Sequence, residues 1–242
     1  MEKQRLDHAL VARGLTSSRS QAENWIRLGK VTVDGKTLTK PGYFVRQNAE
    51  VKLVAEEQYV SRAGLKLASV AKVLKLDFRD AIVLDVGSST GGFTDYALQH
   101  GARKVYAVDV GTEQLHPSLR GNGRIELHEK TDIRGFVIES ELPSIIVIDV
   151  SFISLREILP YIARQLSGPD TQIAAMLKPQ FEAGRNQTNK GIIKNESVRR
   201  QILKEFETWA KQYFVVRDKR DSDVAGAKGN QERFYLLTPL SK

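Results

Sequence analysis

The stretch "VLDVGSSTGGFTDYALQHGA", residues 83–102, constrains the fold more than any other part of the chain. It passes from an apolar strand through a glycine-rich turn into a helix-like segment. A turn of this kind opens a strand–helix unit and aims backbone N–H groups at a ligand. The apolar runs "AIVLDV", "KVYAVDV", "SIIVIDV" and "QIAAMLK" are separated by helix-like stretches such as "TDYALQHG" and "LREILPYIARQL". That alternation predicts an α/β domain, a Rossmann-like parallel sheet with helices on both faces.

The loop glycines are Gly87, Gly91 and Gly92, in the spacing G-x-x-x-G-G. No Gly-Lys-Ser/Thr follows, so this is not a P-loop, and the spacing departs from the G-x-G-x-x-G that favours a pyrophosphate. Asp85, just before the turn, would repel a phosphate. A ligand with a positive centre and no phosphate fits better, and S-adenosylmethionine (SAM) is such a ligand. Asp109, 22 residues after Gly87 and at the end of the next strand, can accept both ribose hydroxyls. That spacing by itself fits NAD as well as SAM. Asp132, after strand-like "RIELHE", either bonds the adenine amino group or caps a helix. With Ser88 and Phe93 from the loop and Asp149 from a later strand end, these residues make the expected cofactor set.

Residues 1–58, with a linker to about 62, read as a separate small domain before the larger one at 63–242. Leu6, Leu10 and Val11 recur at helical spacing up to Gly14, and "TSSRSQAENWIRLG" predicts a second helix stopped at Gly29. "KVTVDGKTLT" predicts a hairpin turning at Asp34-Gly35, and "AEVKLV" a last short strand. Two helices on a small sheet, with basic residues on the second helix, describe an RNA-binding module. The stretch "KPQFEAGRNQTNKGIIKNESVRR" predicts a surface loop and then a helix from about Ser197.

The net charge of +8 points toward a polyanionic partner. The first 60 residues carry ten Lys/Arg against seven Asp/Glu, so charge alone does not locate the contact. With no cysteine there is no disulfide, thiolate metal site or cysteine nucleophile, and no metal is expected. No apolar run approaches a membrane span and the N-terminus carries no apolar signal region, so a cytoplasmic protein without membrane contact is expected. Oligomeric state is not legible.

Four polar residues stand out beyond the loop. Lys66 lies in "YVSRAGLKL", Asp149 ends "SIIVIDV", Lys178 ends "QIAAMLK" and Glu232 lies in "GNQERFYLL". Asp149 and Lys178 end strands, where open α/β sheets bind ligands. Taken alone, an acid and a lysine on neighbouring strand ends also describe a structural ion pair.

"RLD", "GL", "SR", "QA", "GKV" and "VDG" in the first 53 residues resemble the S4 RNA-binding domain. "YVSRAGLKL", "DVGSSTGGFTDYALQHGA", "VDVG", "IDVSFISL", "LKPQFEAGR" and "KGNQERFYLL", in that order behind it, resemble the TlyA family. These are S4-linked relatives of FtsJ-type RNA 2′-O-methyltransferases, often labelled hemolysins. The resemblance implies a SAM-dependent methyltransferase fold acting on ribosomal RNA or ribosomal subunits, at a cytidine. It maps a Lys-Asp-Lys-Glu catalytic set onto Lys66, Asp149, Lys178 and Glu232. Lys178 would either take the proton of a ribose 2′-hydroxyl or, as an ammonium, stabilise the alkoxide; Asp149 would orient it, and Glu232 with Lys66 would position the ribose. RNA contact is expected from Arg5, Arg19, Arg27 and Lys30, and from the basic stretch Arg185, Lys190, Lys194, Arg199 and Arg200. Where the family usually has Gly-Gly, this chain has Ala63-Gly64. A non-catalytic ribosome-assembly protein on the same fold and a membrane-active hemolysin are the alternatives, and the lack of a spanning segment speaks against the second.

Overall fold

The computed structural model describes residues 3–16, 18–27, 29–54, 59–184, 192–193, 195–226 and 229–240. The chain divides into two compact units, Met1–Arg62 and Ala63–Lys242. The first runs β1 (Lys3–Arg5), α1 (Leu6–Ala12), α2 (Arg19–Arg27), β2 (Val31–Val33), β3 (Lys36–Thr37), β4 (Phe44–Arg46) and β5 (Val51–Leu53). Strands β3-β2-β5 form one small sheet, with Asp34-Gly35 at the β2–β3 turn, and β1 pairs antiparallel with β4 in a separate ribbon. That ribbon was not legible, because its two strands lie far apart in the sequence and no tight turn like Asp34-Gly35 joins them. The core joins Leu6, Ala9 and Leu10 to Ala22, Ile26, Val31 and Val45. Val11, one position off this stripe, faces solvent rather than the core, while Ala9 is buried with Leu6 and Leu10.

The second unit runs α3 (Arg62–Ala71), β6 (Ile82–Val86), α4 (Gly92–Gln99), β7 (Lys104–Val108), β8 (Ile125–His128), β9 (Ile145–Ile148), α5 (Leu155–Tyr161), β10 (Gln172–Leu177), α6 (Pro179–Glu182), α7 (Glu196–Ala210), β11 (Phe214–Asp221) and β12 (Arg233–Pro239). Seven strands form one sheet in the order β11-β12-β10-β9-β6-β7-β8. The ladders β10–β9, β9–β6, β6–β7 and β7–β8 are parallel, as the alternation predicts. β12 runs antiparallel to both β10 and β11. Eleven residues, 222–232, join β11 to β12, fewer than the dozen or more that a parallel crossover takes.

Helices cover both faces. Ile82, Leu84 and Val86 of β6 share a cluster with Leu155 and Ile158 of α5 and with Leu203 and Phe206 of α7. The alternate residue Val83 is equally buried on the opposite face, where Phe93 of α4 lies 6.0 Å from Phe234 of β12. Burial on both faces is why these strands read as continuous apolar runs. The chain leaves β6 toward β7 and β8, then returns to β9 on the other side of β6. The carboxyl ends of β6 and β9 therefore flank a topological switch point, the usual ligand position in open sheets of this kind.

Candidate active site

The glycine loop closes over that switch point. Gly87 has φ +81°, and a Cβ there would lie 2.8 Å from the Asp149 carbonyl oxygen. Gly91, the N-cap of α4, has φ +89°, and its Cβ would meet Leu119 Cδ1 at 2.5 Å. Both positions combine a left-handed backbone with a close approach, so a side chain fits neither. Gly87 thereby lets the loop after β6 touch the loop after β9.

Asp85 lies under this loop, within β6 and almost fully buried rather than at an open strand end. Its Oδ2 accepts a 2.6 Å hydrogen bond from Thr94 Oγ1. Its Oδ1 is buried without a hydrogen-bond partner, as is Ser88 Oγ. Burial pushes the Asp85 carboxyl up to about 7; the Thr94 bond opposes this, and the charges of Asp149 and Asp109 add to it. Asp109 accepts from the Ser89 N–H at 2.8 Å and the Gly111 N–H at 2.7 Å, which fixes both carboxylate oxygens at the end of β7. Asp132 caps the turn Ile133–Gly135 and pairs with Arg134 at 2.6 Å. The Arg134 side chain, then its backbone N–H, holds Asp132 down at about 2.

A cavity of about 390 Å³ opens between these loops, lined by Gly87, Ser89, Asp109, Asp132, Asp149, Phe152 and apolar side chains that include Val86, Val108, Ile133 and Ile158. Two expected loop contacts fall elsewhere. Ser88 is buried beneath the loop while its neighbour Ser89 lines the cavity, and the Phe93 ring packs in the core. Gly91 and Gly92 shape the turn without lining the cavity.

The four polar residues gather at the carboxyl end of the parallel strands. Lys178 Nζ lies 2.6 Å from Asp149 Oδ1 and donates to Ser151 Oγ at 2.8 Å. Lys66, on α3, pairs with Glu232 at 2.5 Å, both side chains at most 9% exposed. Leu177 of β10 sits opposite Arg233 of β12, so the residues just beyond, Lys178 and Glu232, face each other across the end of that ladder. The antiparallel β12 thus delivers Glu232 to the end of the sheet where the parallel strands deliver Asp149 and Lys178. Gly226 backs the Glu232 carboxylate, since a Cβ there would meet Oε1 at 2.6 Å.

Residues 59–238 match the FtsJ-like methyltransferase family and residues 4–51 match the S4 domain. Hemolysin A of Brachyspira hyodysenteriae is 40% identical over 233 residues, covering 94% of this chain and 97% of that protein. The 23S rRNA (cytidine-2′-O)-methyltransferase TlyA of Campylobacter jejuni is 36% identical over 247 residues, covering 93% and 96%. A solved structure from Streptococcus thermophilus, provisionally named a hemolysin, superposes with a TM-score of 0.74 at 39% identity, covering all of this chain and 90% of that one. The chain belongs to the TlyA family of S4-linked, FtsJ-like methyltransferases.

This TlyA family member keeps Ala63 inside α3, a position that asks for no left-handed backbone, so the methyl group in place of the family's glycine is accommodated. In its S4 unit Arg5 and Arg19 converge on one buried carboxylate, Asp7, at 2.8 and 2.9 Å. The two guanidiniums, with Asp7 chiefly opposed by its own burial, hold that carboxyl at about 2. Both arginines remain partly exposed, Arg27 is exposed 3.9 Å from Glu23, and Lys30 is exposed. Arg185, Lys190 and Lys194 lie outside the described residues. Arg199 is not an open phosphate contact, because it is buried against Asp221 at 2.8 Å and Glu196 at 3.3 Å. Arg200 is exposed.

Sequence reasoning missed Phe152, which is 91% exposed at the cavity lip with φ +66°, its ring 5.1 Å from Phe181. In "DVSFISL" it reads as one more apolar core residue. Only the tertiary structure shows it turned outward beside Lys178 and Asp149. Among the described residues no cluster of potential metal ligands occurs, and no helix is long and apolar enough to cross a membrane.

Proposed function

We propose that the chain methylates the ribose 2′-oxygen of a cytidine in ribosomal RNA, using SAM, and that it does so in the cytoplasm. The Lys178–Asp149 pair at the rim of a cavity lined by carboxylates carries this reading. The cavity walls include Asp109, Asp132 and Asp149 and, among the described residues, no lysine or arginine. Such a cavity disfavours a pyrophosphate and suits a cationic ligand. The unpartnered Asp85 Oδ1 and Ser88 Oγ leave acceptor capacity beside the glycine loop. SAM fits these features: the glycine loop, with Asp85 beneath it, would hold its amino-acid end, Asp109 its ribose and the apolar walls its adenine. Asp132, committed to Arg134, retains only part of its acceptor capacity for the adenine amino group. When bound, SAM supplies an electrophilic methyl group.

The chain's own residues supply the rest. Asp149, as an ion pair at 2.6 Å, and Ser151, as a hydrogen-bond acceptor at 2.8 Å, hold Lys178 Nζ at the cavity rim. With Nζ as the free amine, a 2′-hydroxyl held there passes its proton to the Nζ lone pair as the oxygen becomes nucleophilic, and Asp149 faces the charge that Nζ gains. The buried Lys66–Glu232 pair holds the ribose, with the acid as acceptor for a sugar hydroxyl. Phe152 offers a flat face on which the unstacked target base rests. Residues 1–58 grip structured RNA through Arg5, Arg19, Arg27 and Lys30, and residues 63–242 perform the transfer; the S4 and FtsJ-like matches support that division, and the Campylobacter jejuni relative's name supports the reaction.

Labelled SAM incubated with each ribosomal subunit and its free RNA tests the proposal. Label should appear in a dinucleotide whose linkage resists alkali, since hydrolysis needs the free 2′-oxygen. Lys178→Ala should lower the transfer rate by about 10²- to 10⁴-fold with SAM affinity unchanged. Label on a base would overturn the chemistry, and no label despite SAM and RNA binding would favour an assembly role.

A further inference from the structure

Glu182 ends α6, four residues after Lys178, and its side chain is 2% exposed. It does not line the cavity, yet its carboxylate makes short bonds to the loop of a different strand. Oε2 accepts from Ser154 Oγ at 2.6 Å, and Oε1 accepts from the Leu155 N–H at 2.7 Å. Arg156 Nε lies 3.7 Å from Oε2. Ser154 is itself the N-cap of α5, accepting from the Arg156 N–H at 3.1 Å. Glu182 therefore adds a second cap, from outside the helix, at the point where the segment leaving Asp149 becomes α5.

The consequence is geometric. Asp149, Ser151, Phe152 and Ser154 belong to the loop after β9; Lys178, Phe181 and Glu182 belong to the segment after β10. Three contacts cross between these segments: Lys178 to Asp149 and Ser151, Phe181 to Phe152, and Glu182 to Ser154 and Leu155. The first two include partly exposed groups that the substrate must approach. The third is buried and makes two charge-assisted bonds, which are short and directional. It anchors the other two.

Resting on the methyltransferase reading above, we infer that Glu182 is a positioning residue. It fixes the segment bearing Lys178 against the loop bearing Asp149 and Phe152, and so sets where Lys178 Nζ meets the 2′-oxygen. A carboxylate is needed because both of its oxygens accept at once; glutamine presents one acceptor oxygen and an NH₂ group that opposes the second donor.

Glu182→Gln in the full-length chain tests this, with Ser154→Ala, which removes one of the two bonds together with the Ser154 cap on the Arg156 N–H and leaves the Leu155 bond, as the second variant. Four quantities are read in each: SAM affinity, stability by urea unfolding, the single-turnover methyl-transfer rate with its pH profile, and the NMR resonance of the Lys178 Cε, assigned through its loss in Lys178→Arg. Small misplacements of reacting groups cost up to about 10²-fold, so Glu182→Gln should slow transfer by about 10- to 100-fold. The Lys178 resonance and the pH–rate limb should shift, and SAM affinity should stay within about twofold, with Ser154→Ala intermediate. A wild-type rate with an unmoved Lys178 resonance overturns the inference. So does a rate loss matched by equal losses of SAM affinity and stability, which would make Glu182 a helix cap and nothing more. A shifted Lys178 resonance in a protein whose wild type transfers no methyl group would uphold the positioning role and sink the proposed function.

Discussion

Replacing Asp85 by asparagine isolates the charge buried beneath the glycine loop. In the folded chain burial, against the Thr94 hydrogen bond and with Asp149 and Asp109 reinforcing it, pushes Asp85 from 3.8 up to about 7. The unfolded chain releases that proton near the ordinary value, so between the two values the folded state holds more protons. Stability falls as pH rises through that window, by about 1.4 kcal/mol per unit, and the loss is complete above about 7. Between pH 5 and pH 8 the wild-type chain loses about 3 kcal/mol through this group. Asparagine keeps an oxygen to accept from Thr94 and removes the titration. Any penalty for placing Nδ2 where Oδ1 stood is equal at both pH values and cancels. Relative to wild type, Asp85→Asn should therefore gain about 3 kcal/mol on going from pH 5 to pH 8. Urea unfolding of both full-length proteins, free of cofactor, measures this double difference. A change below about 0.5 kcal/mol, the scatter of neutral substitutions, would refute the reasoning and place Asp85 in the ordinary carboxylate range. SAM affinity should move the other way, weakened by Asp85→Asn most strongly at high pH, where the wild-type carboxylate is charged.

Gly87→Ala brings a methyl group within 2.8 Å of the Asp149 carbonyl oxygen at a left-handed position; calorimetric SAM affinity should fall at least about tenfold, and an unchanged affinity would show that the loop gives way without consequence. Phe152→Ala removes a side chain that is 91% exposed, so stability should hold within about 0.5 kcal/mol. Methyl transfer should nonetheless drop about tenfold or more if a base stacks there, and equal kinetics would remove the stacking role. Asp7→Asn takes the charged partner from Arg5 and Arg19 and should destabilise the fold by about 1–3 kcal/mol near neutral pH. Because the folded value is lowered to about 2, the difference should shrink as pH falls below about 4, and a pH-independent difference would contradict it.

The local rules of the chain were enough to reveal the parallel strands, the glycine loop and the strand-end residues Asp149 and Lys178. Each rests on neighbours in sequence: apolar runs buried on two faces, a turn that only glycines permit, a polar residue where an apolar run stops. The sequence likewise places Asp109 at the end of its strand, and Gly87 before it at cofactor spacing. What the tertiary structure alone decided involves partners far apart along the chain. Glu232 reaches the site because β12 runs antiparallel, a direction that no period-two pattern encodes. Asp85 is buried rather than open because α4 folds back and Thr94 covers it. Phe152 and Arg199 exchange the roles their residue types imply: the aromatic faces outward on a left-handed backbone, while the arginine is buried by Asp221. Composition and spacing set what a residue can do, and packing across distant segments fixes whether solvent, a partner charge or the substrate reaches it. That is why the fold was legible from the sequence, while the electrostatics of the site were settled only in three dimensions.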